Sequence, residues 1–276
     1  MIRKMRSIFK PVYLFLLNCI QSIYSIYPPL DTAISPTSGK LDGFEACYSL
    51  HDVLATFDMP QYRRLPQVKE ILEEYQYNCK LRDMNSLPKK YPLIVIEAPR
   101  RRKRFLVAKR LAKELDAAIM FSPPLGWSKF REAFNRSIEM RRAFHSLSIY
   151  GSANNAMQYL GRKPVVMSGF WMDQATFAIA KKYFPNFPPQ NSSVFQWPKD
   201  LIKPDYTFFI NEPLPRSFTE NKEESIRYQI LQVYRHWADP PVIELYMDDE
   251  VKVATTVEDI LRYINSPHST TVPSES

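Results

Sequence analysis

The residues with the most chemical potential lie in one stretch, EAPRRRKRF, residues 97–105. An apolar run (Leu93, Ile94, Val95, Ile96) precedes it, and a segment with helical periodicity follows. Strand, turn and helix in that order is the setting in which backbone N–H groups at a helix N-terminus surround phosphate. That cradle needs glycine, because the turn must adopt positive φ and approach the oxygens closely. This turn contains no glycine, and residues 100–104 are all Arg or Lys. Adjacent cations repel one another and oppose the helix macrodipole, so they favour an anion. Arg101, Arg102, Lys103 and Arg104 are therefore candidate ligands for phosphate, a polyanion or an anionic surface. The plain alternative is a solvated helix start. Glu97 closes the apolar run and is expected to be a hydrogen-bonded structural carboxylate.

A second constellation lies further along. Arg141 and Arg142 share a helical segment with Phe144 and Tyr150. An arginine there would hold a monophosphate while an aromatic ring stacks on a base; otherwise these are surface arginines and core rings. Phe170 and Trp171 follow another apolar run and either line a base pocket or pack in the core.

Other chemistries find little support. The three cysteines are far apart with no CxxC pair, and the four histidines lack metal-ligand spacing. No Ser/His/Asp arrangement is evident from spacing. Few aromatics interleave with the charges and no RNA-binding signature is present, so specific nucleic-acid readout is weakly supported.

The elements that would position these residues read as alternating strands and helices. Strands are expected at 93–97, 117–121, 165–167, 206–210 and 242–246. Helices are expected at 65–77, 103–115, 140–160, 173–183 and 223–237. A last helix, with a capping box at Thr255 and Glu258, should end near Ile264. This order predicts an α/β domain with a parallel sheet covered by helices on both faces. Asp205 should brace the start of the fourth strand. Four regions follow: a targeting or anchor segment (1–30), a linker and helical segment (31–90), the α/β domain (91–265) and a disordered tail (266–276). Residues 1–10 carry four basic side chains and no acid, and the first acidic residue is Asp31. The apolar stretch after them falls short of the roughly 20 residues a membrane span requires. A mitochondrial presequence is the leading reading, with a secretory signal, a membrane anchor or a buried helix as alternatives. The net charge of +8 suits anionic partners or a mitochondrial address.

Several stretches together resemble the thymidylate kinase superfamily, most closely the mitochondrial-type UMP-CMP kinases. YPLIVIE (91–97) is similar to the family's first strand and FSPP (121–124) to the end of its second. RRAFHSLSIYGSANNA (141–156) resembles its substrate-lining helix. GRKPVVMSGFWMDQATFAIA (161–180) resembles the strand and helix that carry an Asp-Arg-Tyr motif, and FQWPKDLIKPD (195–205) is the most diagnostic match. The resemblance implies a P-loop-kinase-like fold and an ancestral transfer of phosphoryl from ATP to UMP, CMP or dTMP-type acceptors. It also implies that the family's Gly-Leu-Asp-x-x-Gly-Lys-Thr loop falls on residues 98–105. There both glycines are missing, Arg100 stands for the aspartate, Arg104 for the lysine and Phe105 for the magnesium-holding hydroxyl. Ser168 and Gly169 stand for the aspartate and arginine of the second motif. The lid is shortened, with Arg216 as its cation before Lys222.

Phosphoryl transfer rests on positioning and charge stabilisation, and losing one preorganised group costs about 10²–10³ in rate. The resemblance with these departures implies a pseudoenzyme that keeps the shell and has lost the ATP site. A nucleoside monophosphate is its expected ligand, with magnesium and ATP as cofactors only if catalysis survives. A slow kinase using Arg100 and Arg104, or a non-enzymatic binder of membrane or nucleic acid, are the alternatives. Neither a protein partner nor a homodimer is specified by the sequence.

Overall fold

Five parallel strands organise the chain in a computed structural model that describes residues 46–78, 89–135, 137–212, 222–247 and 252–266. The targeting segment, the linker up to residue 45, Cys19, Cys79, the connector at 81–88, the lid cation Arg216 and the tail beyond residue 266 lie outside the described residues. The strands are β1 (Leu93–Glu97), β2 (Ala118–Phe121), β3 (Val165–Ser168), β4 (Tyr206–Asn211) and β5 (Val242–Tyr246), in spatial order β2-β3-β1-β4-β5. All pairings are parallel, and Ile96 stands level with Ser168 on one side and Phe208 on the other. The carboxyl ends of the three central strands therefore open at one level, where open α/β sheets bind ligands.

Because β1 is covered on both faces, its LIVIE sequence is continuously apolar up to Glu97 and fully buried. Leu93 and Val95 enter one core, while Ile94 and Ile96 enter the other. The first core lies under α1 (Leu50–Asp58), α2 (Pro66–Asn78), α5 (Ile138–Leu160), α6 (Trp171–Tyr183) and α7 (Lys222–His236). The second lies under α3 (Arg101–Glu114) and α8 (Val253–Asn265). A 3₁₀ turn (Trp127–Phe130) and one-turn α4 (Arg131–Phe134) precede α5. As expected, Asp205 is a brace: its Oδ2 accepts from the Leu93 N–H at 2.6 Å, joining the start of β1 to the start of β4.

Three local expectations change. Helix α3 begins at Arg101, two residues early, so the cationic block is its first turns rather than a loop. Within it Arg104 is buried on the same face as Val107, Ala108 and Leu111. The capping box at Thr255 and Glu258 does not form. Helix α8 starts at Val253 after Lys252, with no side-chain cap, because that start buries Thr256, Val257 and Ile260 together. Finally, the sequence reading missed α1. Its N-cap Ser49 accepts from the Asp52 N–H at 3.1 Å, and it buries Val53 and Phe57. The Ser-x-x-Asp spacing was the available signal.

Candidate functional site

At the carboxyl end of β1 the cations of α3 divide between partners. Arg104, 7% exposed, turns inward. Its Nη1 lies 3.0 Å from Asp173 Oδ2 in the first turn of α6 and 3.5 Å from Glu97 Oε2. Glu97 Oε1 accepts from the Phe170 N–H at 2.9 Å, so Glu97 is the hydrogen-bonded carboxylate expected from the sequence. Burial, reinforced by Asp173, pushes the Glu97 carboxyl up to about 8 against the opposing pull of Arg104. The long contact to Arg104 fits a carboxyl that keeps its proton at neutral pH, leaving Arg104 and Asp173 as the charged pair. Burial alone would lower the Arg104 pKa, but Asp173 and then Glu97 outweigh it and hold the guanidinium above its usual value. Tyr234, enclosed beside them, is raised by burial and by both carboxyls.

Gly169 makes this arrangement possible. It follows β3 at φ +76°, and a Cβ built there would stand 2.5 Å from Arg104 Cζ. The guanidinium fills the space that any side chain at 169 would need. The preceding Ser168 is buried at the end of β3. Phe105 packs on Phe121 at the end of β2, with ring centroids 5.5 Å apart.

Glu212, after β4, collects the next cations. It is buried and lies 3.1 Å from Arg100, 3.3 Å from Lys103 and 3.5 Å from Arg227. Arg101 and Arg102 remain exposed. Among the described residues the left-handed conformations fall at Asp116, Gly126 and Gly169. The β1–α3 turn has none, so it forms no concave nest of N–H groups for an anion.

A second cationic group acts, together with Asp173, on His145. The charges of Arg131, at the start of α4, Arg141 on α5 and Arg101 all act on His145. Burial first, then Arg131, push this imidazole down to about 4, with Asp173 opposing them. Arg101 is lowered by its own burial and by Arg131 and Arg104. Arg141 is oriented by donating to Asn135 Oδ1 at 3.1 Å. Sequence reasoning missed Arg131 and His145. Arg141 and His145 are four apart on α5, so they share a helix face, but nothing local marks Arg131.

Of the five residues grouped in the sequence as an acceptor pocket, Arg142, Tyr150 and Trp171 come together around Cys47, Phe170 lies beside Trp171, and Phe144 stands apart. Phe144 is in the core, stacked on Phe134 with centroids 5.4 Å apart. Tyr150 donates its hydroxyl to Asp200 Oδ1 at 2.7 Å. Phe170 and Trp171 are each 2% exposed within an aromatic cluster with Trp197, and Trp171 also meets Trp237. Of their two sequence readings, core packing describes where these rings sit.

No family model matches the sequence. A human protein named UMP-CMP kinase 2, mitochondrial, is 27% identical over 194 residues, covering 68% of this chain and 41% of that protein. The chain thus spans about two fifths of the relative's length. Thymidylate kinase from Candida albicans superposes with a TM-score of 0.50 at 15% identity, covering 64% of this chain and 92% of that chain. The parallel five-stranded sheet is a P-loop-kinase-like α/β fold shared with the thymidylate kinase, and the sequence is similar to that of the UMP-CMP kinase.

Proposed function

We propose that this chain is a pseudoenzyme that binds a nucleoside monophosphate and does not transfer phosphoryl from ATP. One observation carries the reading: Arg104, at the position of the family lysine, is buried under Gly169 against Asp173 and Glu97. A donor phosphate would have to draw Arg104 away from Asp173 and from its hydrogen bond to enclosed Glu97. The turn supplies no left-handed residue to bring amides onto phosphate, and Phe105 has no oxygen for magnesium. These residues do not fit magnesium-ATP.

The acceptor side differs. Arg101, Arg131 and Arg141 act on one neutral imidazole, and a phosphate dianion among them would replace repulsion with charge-assisted hydrogen bonds. The nearby N-termini of α3 and α6 favour the same anion. Residues 1–10, basic and without acid, and the relative's mitochondrial name support a mitochondrial address.

Calorimetry with CMP, UMP and magnesium-ATP tests the reading, alongside a coupled assay for diphosphate. Monophosphate should bind, and Arg141→Ala should weaken it about 10-fold or more, the cost of one charge-assisted hydrogen bond. Magnesium-ATP should neither bind nor yield diphosphate. Turnover by the wild type that Arg104→Ala abolishes would overturn the pseudoenzyme reading, and absence of monophosphate binding would overturn the acceptor site.

A further inference from the structure

Residues 47–49, with Leu50 at the start of α1, touch both α5 and α6, the two helices that carry Arg141, His145 and Asp173. The Trp171 indole N–H donates to the Cys47 carbonyl at 2.9 Å. The Tyr48 ring meets Trp171 edge-on with centroids 5.5 Å apart, and its hydroxyl donates to the Val194 carbonyl at 2.9 Å. Asp200 holds the far end with both oxygens. Oδ2 accepts from the Leu50 N–H at 2.7 Å, and Oδ1 accepts from the Tyr150 hydroxyl at 2.7 Å. The Cys47 thiol lies against Ser146 and Arg142 of α5.

We propose that residues 47–50 form an autoinhibitory strap, closed in this structure, whose release uncovers Trp171 and Tyr150 for the planar base of a nucleoside monophosphate. The inference rests on the acceptor-site reading above and adds its regulation. Trp171, Tyr150 and Cys47 are all buried with the strap in place, so no base can reach the rings while it is docked. Its hydrogen bonds and the Tyr48–Trp171 ring pair are each worth about 0.5–1.5 kcal/mol net, and Cys47 and Tyr48 also pack on the core. Helix α1 is anchored by Val53 and Phe57, with Leu50 and Leu54 packed beside them, so opening is confined to the residues ahead of it. A docked strap lowers apparent affinity by the fraction of molecules in which it is open. A ligand that needs the open form must in turn open it.

The test uses the full chain, with Tyr48→Ala and the milder Tyr48→Phe, and two readouts. Alkylation of Cys47 by iodoacetamide, followed peptide by peptide, reports strap opening. Calorimetry reports CMP affinity. Tyr48→Ala should speed Cys47 alkylation about 10-fold and tighten CMP by a similar factor, the two being linked through the open fraction. Tyr48→Phe should give a smaller change in both, and CMP should accelerate Cys47 alkylation in the wild type. Unchanged alkylation in both variants shows that the segment does not open, and the proposal falls. Faster alkylation with CMP affinity unchanged or weaker shows a structural segment, and the inhibitory role falls. Faster alkylation with no CMP binding to any protein defeats the acceptor-site reading itself, and the inhibitory role with it.

Discussion

Arg101 and Arg104 stand one helical turn apart on α3, yet they serve opposite environments. Arg104 lies under Gly169, its guanidinium closed in by Asp173 and Glu97. Arg101 is exposed and adds its charge to Arg131 and Arg141 around His145. In the first environment an enclosed guanidinium meets two carboxyl groups, whereas in the second the charges of three arginines fall on one imidazole. A run of like cations is therefore not one functional unit. Each is assigned by which carboxylate the fold brings to it.

Removing Arg104 should show the largest difference. Arg104→Ala removes an enclosed guanidinium that bonds buried Glu97 and half-exposed Asp173, and should cost about 2–3 kcal/mol in urea unfolding. Arg101→Ala should stay within about 0.5 kcal/mol, as surface changes do, while weakening CMP. Equal costs for the two would erase the contrast between them.

Gly169→Ala comes next. It combines a left-handed backbone with a Cβ 2.5 Å from the guanidinium carbon and should cost about 1–3 kcal/mol. In Arg104→Ala the collision is gone, so the second substitution should cost less there than in the wild type. A double-mutant cycle without coupling would show that Gly169 is not making room for Arg104.

Counted per pH unit, the smallest effect is on pH dependence, where the two environments have opposite signs. The Glu97 pKa rises on folding from 4.5 to about 8. Its contribution to stability is therefore full below the lower value and is lost as pH climbs through the upper one. His145 falls from 6.5 to about 4, so its contribution is full above the higher value and is lost as pH falls through the lower one. Relative to Glu97→Gln, the wild type should lose about 1 kcal/mol per pH unit between roughly pH 5 and 8. Relative to His145→Gln, it should lose a comparable amount as pH drops from about 6.5 to 4. Urea midpoints across pH 4–8 check both, and parallel curves for all three proteins would mean that neither group is held as described.

Much of the architecture was legible along the chain. Each strand and all but one longer helix follow from apolar periodicity, and the continuous LIVI run marks β1 as covered on both sides. Helix α1 was passed over although Leu50, Val53, Leu54 and Phe57 fall at i, i+3, i+4 and i+7 and Ser49 and Asp52 mark its start; its nine residues make a short pattern. The site was less legible. Arg104 was visible as a charge, but its burial depends on Gly169, whose significance is the space it leaves. Phe144, Phe170 and Trp171 carry rings that suit a base pocket or a core equally well.

Periodicity, turn residues and the cationic stretch are properties of neighbours in sequence, and hydrophobic burial acts on them wherever the chain goes. They were enough to establish an α/β sheet, its helices and the loss of a glycine-rich phosphate turn. Which cation is enclosed and which is open was settled by distant contacts, such as the hydrogen bond between Glu97 and Phe170 across 73 positions. Electrostatic energy depends on distance in space and on burial, and both come into being only when the strands are side by side.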